Sequence, residues 1–191
     1  TDDDGTFQAP KPKYDAYEAT IGAGSIGLEK ATSVGAQNIA ENLGDQILGG
    51  FIADVKGEEV TVASMNFDIS TIDGAGTGND IDSDDITNMT LVAEDGTVVA
   101  GPVNGVAGGN NGLRFTDTIT FKVGRKTYTI KGKLGTAFDS NDQVAASTTP
   151  SDDWTTVKGV TTSQTITPSG GTVTMSTMTV KAGAMTLTLS T

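Results

Sequence analysis

Apolar residues recur at every second position through most of this 191-residue chain. That period belongs to strands with one face in a core and the other in water. The clearest run is 113–123. Leu113, Phe115, Ile119, Phe121 and Val123 share one face, interrupted by Asp117, while Arg114, Thr116, Thr118, Thr120 and Lys122 share the other. Gly124-Arg125 follows with glycine first, which predicts a type II′ hairpin. The next strand then carries Tyr128, Ile130 and Leu134 inward. Residues 61–69 alternate too, with Ala63, Met65, Phe67 and Ile69 in phase. Met89, Leu91 and Ala93 run into Asp95-Gly96, a type I′ hairpin signal, and then Val98-Val99. Further strands are expected within 155–167, 172–180 and 184–190.

About ten strands result, joined by Gly, Asp and Asn turns. Only 35–44 offers a weak helical alternative, and it reads equally as a turn or an extra strand. The fold class is therefore all-β, a β-sandwich of jelly-roll or Ig-like type, with a closed barrel as the less favoured arrangement. Residues 1–18 are polar, carry Pro10 and Pro12 and show no apolar period, so they read as an extended N-terminal arm. Tyr14 and Tyr17 either anchor that arm or belong to a disordered tail. Residues 19–191 then form a single sandwich domain.

Composition narrows the chemistry. Neither Cys nor His occurs, so no disulfide, Cys/His zinc site or Cys- or His-based nucleophile pair exists. The 24 acids outnumber the 12 bases, for a net charge of −12. Such a charge repels nucleic acid and anionic membrane surfaces. Eighteen of the acids are Asp, which suits turns and hard-cation sites better than helices. No apolar run approaches the ~20 residues that span a bilayer, so no membrane insertion is expected. The opening Thr1-Asp2-Asp3-Asp4-Gly5 reads as a processed N-terminus or a trimmed one, and the Thr, Gly, Ser, Ala and Val excess fits an extracellular or cell-surface location.

One pattern occurs twice. Residues 20–28 read Thr-Ile-Gly-Ala-Gly-Ser-Ile-Gly-Leu, and 179–187, at an offset of 159, read Thr-Val-Lys-Ala-Gly-Ala-Met-Thr-Leu. In a tandem array, such a strand closes one module and opens the next. In a single-module subunit, one terminus completes a neighbour's sheet by β-strand addition. The plainer alternative is a pair of ordinary edge strands whose low-complexity sequences match by chance. The strand-exchange reading makes 20–28, with Thr20, Ile21, Ile26 and Leu28, a donor strand that leaves its own sandwich.

Residues 19–69 and 179–191 resemble modules of bacterial and archaeal surface and filament proteins. The resemblance rests on Ala23-Gly24-Ser25-Ile26-Gly27-Leu28, on Gln46-Ile47-Leu48-Gly49-Gly50-Phe51-Ile52-Ala53-Asp54 and on Glu58-Glu59-Val60-Thr61-Val62-Ala63-Ser64-Met65. It is to surface-layer-like modules and, more loosely, to biofilm-matrix fibre subunits of the TasA and camelysin type. It covers about a third of the chain and implies a sandwich or jelly roll, head-to-tail donor-strand polymerisation and no active site.

The densest polar cluster is 73–85. Asp73, Asn79, Asp80, Asp82, Asp84 and Asp85 there form a candidate Ca2+ site, because a Gly-rich loop can fold several carboxylates around a cation that needs six to eight oxygens. A solvated acidic loop is the alternative. Asp139, Asn141 and Asp142 form a second candidate, or a plain turn. Asn88-Met89-Thr90 is a glycosylation sequon. Trp154, the only tryptophan, packs on the sandwich or meets a glycan. Asp117 meets a lysine or cation, or marks a bulge. No aromatic-rich glycosidase cleft is signalled, and no catalytic residues are assigned. The expected function is a structural subunit of an extracellular filament or cell-surface array, a calcium-stabilised homopolymer. The alternative is a secreted carbohydrate-binding or adhesion module that meets surface glycans.

Overall fold

The structure, a computed structural model, describes residues 22–74, 76, 78, 80–108 and 112–181. The expected arm, Tyr14, Tyr17, Thr20, Ile21, Asn79 and the strand at 184–190 lie outside the described residues. The fold is all-β, as the alternation requires. Its strands are β1 (Ser25–Lys30), β2 (Asn38–Ile39), β3 (Gln46–Lys56), β4 (Val60–Ile72), β5 (Ile86–Ala93), β6 (Val98–Val103), β7 (Leu113–Phe115), β8 (Ile119–Phe121), β9 (Gly124–Leu134), β10 (Gln143–Thr148), β11 (Trp154–Gly159), β12 (Val173–Thr174) and β13 (Met178–Val180). A 3₁₀ turn at Ser83–Asp85 and one short helix, α1 (Pro150–Asp153), complete the elements. The weak helical candidate at 35–44 contains β2 instead.

Two sheets face each other. The first has the order β1-β3-β9-β5-β6. The second has the order β11-β4-β10-β13-β2, with β12 beside β10, and β7 and β8 beside β4. Pairing is antiparallel except between β13 and β2. Phe51, Phe67, Phe115, Phe121 and Phe138 are fully buried between the sheets. Burying each such side chain stabilises the fold by roughly 1.5–3 kcal/mol. Trp154 stacks on Phe121 at 5.4 Å between ring centroids and meets Phe51 edge-on at 6.0 Å, so it belongs to the core.

Three features differ from the alternation's forecast. Gly124, at φ 106°, supplies the expected left-handed glycine. Yet β8 pairs with β4 and β9 pairs with β3 and β5, so the link crosses between sheets and is not a hairpin. Val123, placed inward by phase, sits in that crossover and is 51% exposed. Asp95-Gly96 does close the β5–β6 hairpin. Gly96 is at φ 87° and its N–H donates to the Ala93 carbonyl, while Asp95 keeps a negative φ. That is a type I turn with a glycine bulge, not type I′.

The third difference is a bulge. β8 aligns Ile119 with Val62 and β7 aligns Phe115 with Met65, so 116–118 stand opposite 63–64. The extra residue reverses the parity of β4: Val60 and Val62 face the core, then Met65, Phe67 and Ile69, and Ala63 does not join them. Asp117 lies on this bulge, exposed, and accepts the Gly101 N–H at 2.9 Å.

β1 corrects the donor-strand expectation where it can be followed. Ser25 to Lys30 pair with Lys56 to Phe51 of the same chain. Ile26 and Leu28 are buried in its own core, at 0% and 6% exposure. Their apolar side chains gain more from this core than from water, and β3 offers them a full ladder. On the other edge of β1, the Ile26 carbonyl accepts the Ser169 N–H at 2.9 Å and the Leu28 N–H donates to the Ser169 carbonyl at 3.4 Å.

Candidate functional site

The long strand β4 sets the axis of the molecule. Its 13 residues, at ~3.3 Å each, span roughly 40 Å from the β3–β4 turn to Gly74. The first described strand, β1, begins at one end of this axis, and the last, β13, finishes at the other.

At the first pole, Gly24 packs against the turn between β3 and β4. A Cβ on Gly24 would stand 2.8 Å from Glu58 Cγ and 3.0 Å from the Lys56 carbonyl oxygen. Glu58 is the hub of this pole. Its carboxylate accepts N–H groups from Thr161 at 2.6 Å, Thr162 at 2.9 Å and Gly24 at 3.2 Å, and the Thr162 hydroxyl at 2.5 Å. Those donors, the Thr162 hydroxyl above all, hold its pKa down to about 2. One side chain thus ties the start of β1, the β3–β4 turn and the loop after β11. Further along β1, Arg125 donates two parallel hydrogen bonds to Glu29, both at 2.8 Å.

At the opposite pole, Gly74 follows the end of β4. Its N–H donates to Asp142 Oδ1 at 3.0 Å, and a Cβ there would fall 2.1 Å from the Asn141 carbonyl oxygen. The last described strand ends beside them. The Asn141 N–H donates to the Val180 carbonyl, the Val180 N–H donates to the Asp142 carbonyl, and Lys181 Nζ donates to Asn141 Oδ1.

The described residues expected to bind calcium lie at this second pole, and the carboxylates of Asp73, Asp82, Asp85 and Asp142 serve the backbone. Asp73 accepts the N–H groups of Gly76 at 2.7 Å and Gly78 at 3.0 Å. Asp82 and Asp85 form a reciprocal capping box around the Ser83–Asp85 turn, and Asp82 also accepts the Gly108 N–H at 2.9 Å. Asp142 accepts from Gly74 and from the Asp139 N–H, so the two proposed cation clusters meet through a hydrogen bond. Asp80 and Asp84 are exposed. Among the described residues, no three acidic side chains converge as a metal ion requires.

Asn88 is exposed on β5 at φ 51°, where its own N–H is held by Asn104 Oδ1 at 3.0 Å. Trp154, at 4% exposure, offers no face to a glycan. Sequence reading missed Glu58, because its partners lie 34 to 104 positions away and no local motif marks it.

Set against protein-family models and against curated proteins, the chain matches none. No helix among the described residues is long and apolar enough to cross a membrane.

Proposed function

We propose that this sandwich is a structural unit of an extracellular filament or cell-surface array, joined end to end with others. The observation that carries the reading is the polarity of the described residues: Gly24, before the first strand, lies beside Glu58, and Val180, at the end of the last strand, lies beside Asn141, at opposite ends of β4. Units linked through such ends extend in a line, and a head-to-tail contact that does not close yields an open row. A unit with both ends at one pole would instead hang from its neighbour as a pendant. The charge balance suits the same role, since a surface with net charge −12 resists nonspecific clumping. The glycan-binding alternative loses its aromatic candidate with Trp154 in the core.

Negative-stain imaging of the purified protein at rising concentration tests this. Rows of particles joined along their long axes are expected. Isolated particles at every concentration, with a monomer mass in sedimentation, count against it.

A further inference from the structure

An asparagine or aspartate followed by glycine is a chemically fragile stretch of main chain. The glycine nitrogen can attack the side-chain Cγ and close a five-membered imide, because no side chain on the glycine stands in the way. A new N–Cγ bond forms, and the glycine N–H proton departs with the leaving group, ammonia from Asn or water from Asp. Water then reopens the ring at either carbonyl. One product carries aspartate in its normal place. The other, isoaspartate, routes the main chain through the side chain and lengthens it.

The chain holds five such pairs. Both residues are described at three of them, Asp73-Gly74, Asp95-Gly96 and Asn104-Gly105. At each of the three, the glycine is fixed by space or by backbone angle. A Cβ on Gly74 would overlap the Asn141 carbonyl oxygen, and one on Gly105 would overlap the Ser83 carbonyl oxygen. Gly96 stands in the left-handed region, at φ 87°. The fold therefore needs these glycines and inherits the liability that comes with them.

Each pair is also held at both ends of the reaction. The attacking nitrogen is engaged. The Gly74 N–H donates to Asp142 Oδ1 at 3.0 Å, the Gly96 N–H to the Ala93 carbonyl at 2.9 Å and the Gly105 N–H to the Ile86 carbonyl at 2.9 Å. The attacked side chain is anchored too. Asp73 accepts the N–H groups of Gly76 and Gly78, Asp95 accepts that of Thr97 at 2.9 Å, and Asn104 Oδ1 accepts that of Asn88 at 3.0 Å. Closing the ring means giving up both sets of contacts together. Asp95 has a further protection. A neutral carboxyl expels water far more readily than a charged one, and the Thr97 N–H holds this carboxyl below the usual carboxylate range. Three separate places, the end of β4, the β5–β6 hairpin and the loop after β6, thus share one arrangement.

We propose that 73–74, 95–96 and 104–105 are latent sites of spontaneous backbone isomerisation, which the folded sandwich keeps inert and which local opening switches on. The chemical lifetime of the main chain is then set by how often these turns open and not by the intrinsic rate of an Asx-Gly sequence. This holds whether or not units join into rows.

The test keeps the full chain at mildly alkaline pH, either folded in buffer or unfolded in guanidinium chloride. Its peptides are mapped over time for isoaspartate, and for the mass gain at Asn104 as a carboxyl replaces the amide. All three pairs should convert in denaturant, and conversion should be lost at all three in the folded chain over the same interval. Hydrogen exchange at Gly74, Gly96 and Gly105 gives the local measure, with slowed exchange expected at each. Conversion in the folded chain at the rate seen in denaturant overturns the proposal. A chain left unmodified in denaturant does so too, since the liability itself would be missing. Protection from conversion alongside amides that exchange at unfolded-chain rates also overturns it, because these hydrogen bonds would then not be the cause.

Discussion

Glu58 concentrates more structure than any other described side chain at the near pole. Four donors converge on one carboxylate, which favours its charged form. Its folded pKa of about 2 lies below the ordinary 4.5. A depressed carboxyl stabilises the fold fully above its unfolded value and loses that contribution as pH falls toward its folded value. The stabilisation is therefore complete above about pH 4.5 and disappears between there and about pH 2. Glu58→Gln should lower the melting temperature at neutral pH and flatten its decline across that acid window. Melting curves from pH 7 to pH 2 check this, and parallel acid limbs for parent and variant would show that Glu58 plays no such part. None of this was legible in the sequence, where Glu58 is one acid of an ordinary Gly-Glu-Glu turn. By contrast, the inward residues Phe115, Phe121, Tyr128 and Ile130 could be read directly, because a period of two needs only near neighbours to declare itself.

Among the elements, those specified by local alternation were visible and those specified by partners were not. β9 and the β5–β6 hairpin were apparent from their own residues. The break between β7 and β8 was signalled by Asp117 alone, and its effect on the parity of β4 required knowing that these segments are neighbours. The acidic loop is the same kind of case. Its composition suits both a cation and a set of turn caps, and only the placement of N–H donors separates the two. The Ser83–Asp85 turn depends on Asp82, whose carboxylate holds Ser83 N–H at 2.6 Å and reaches Gly108 on the loop after β6. Loss of such a cap costs about 1 kcal/mol. Asp82→Ala should destabilise the protein by about that amount in denaturant titrations, equally in calcium and in chelator. A loss confined to calcium-containing buffer would instead assign the carboxylate to a metal ion.

Across the described residues, the decisive feature is that β1, held against β3, begins at one pole and β13, held against β10, finishes at the other. Stretching the protein by those ends pulls both strands along their own length. In that geometry the hydrogen bonds of each ladder carry load side by side and must yield together, whereas a strand peeled from its end breaks them singly. Resistance to pulling is a matter of unfolding rate rather than of equilibrium stability. Single-molecule extension between residues 22 and 181 should therefore need a higher force than extension between attachment points at Gly57 and Val160, which lie together at one pole. Equal forces in the two directions would contradict it. A row of such units behaves as a cable whose links are strongest along the line in which they are strung.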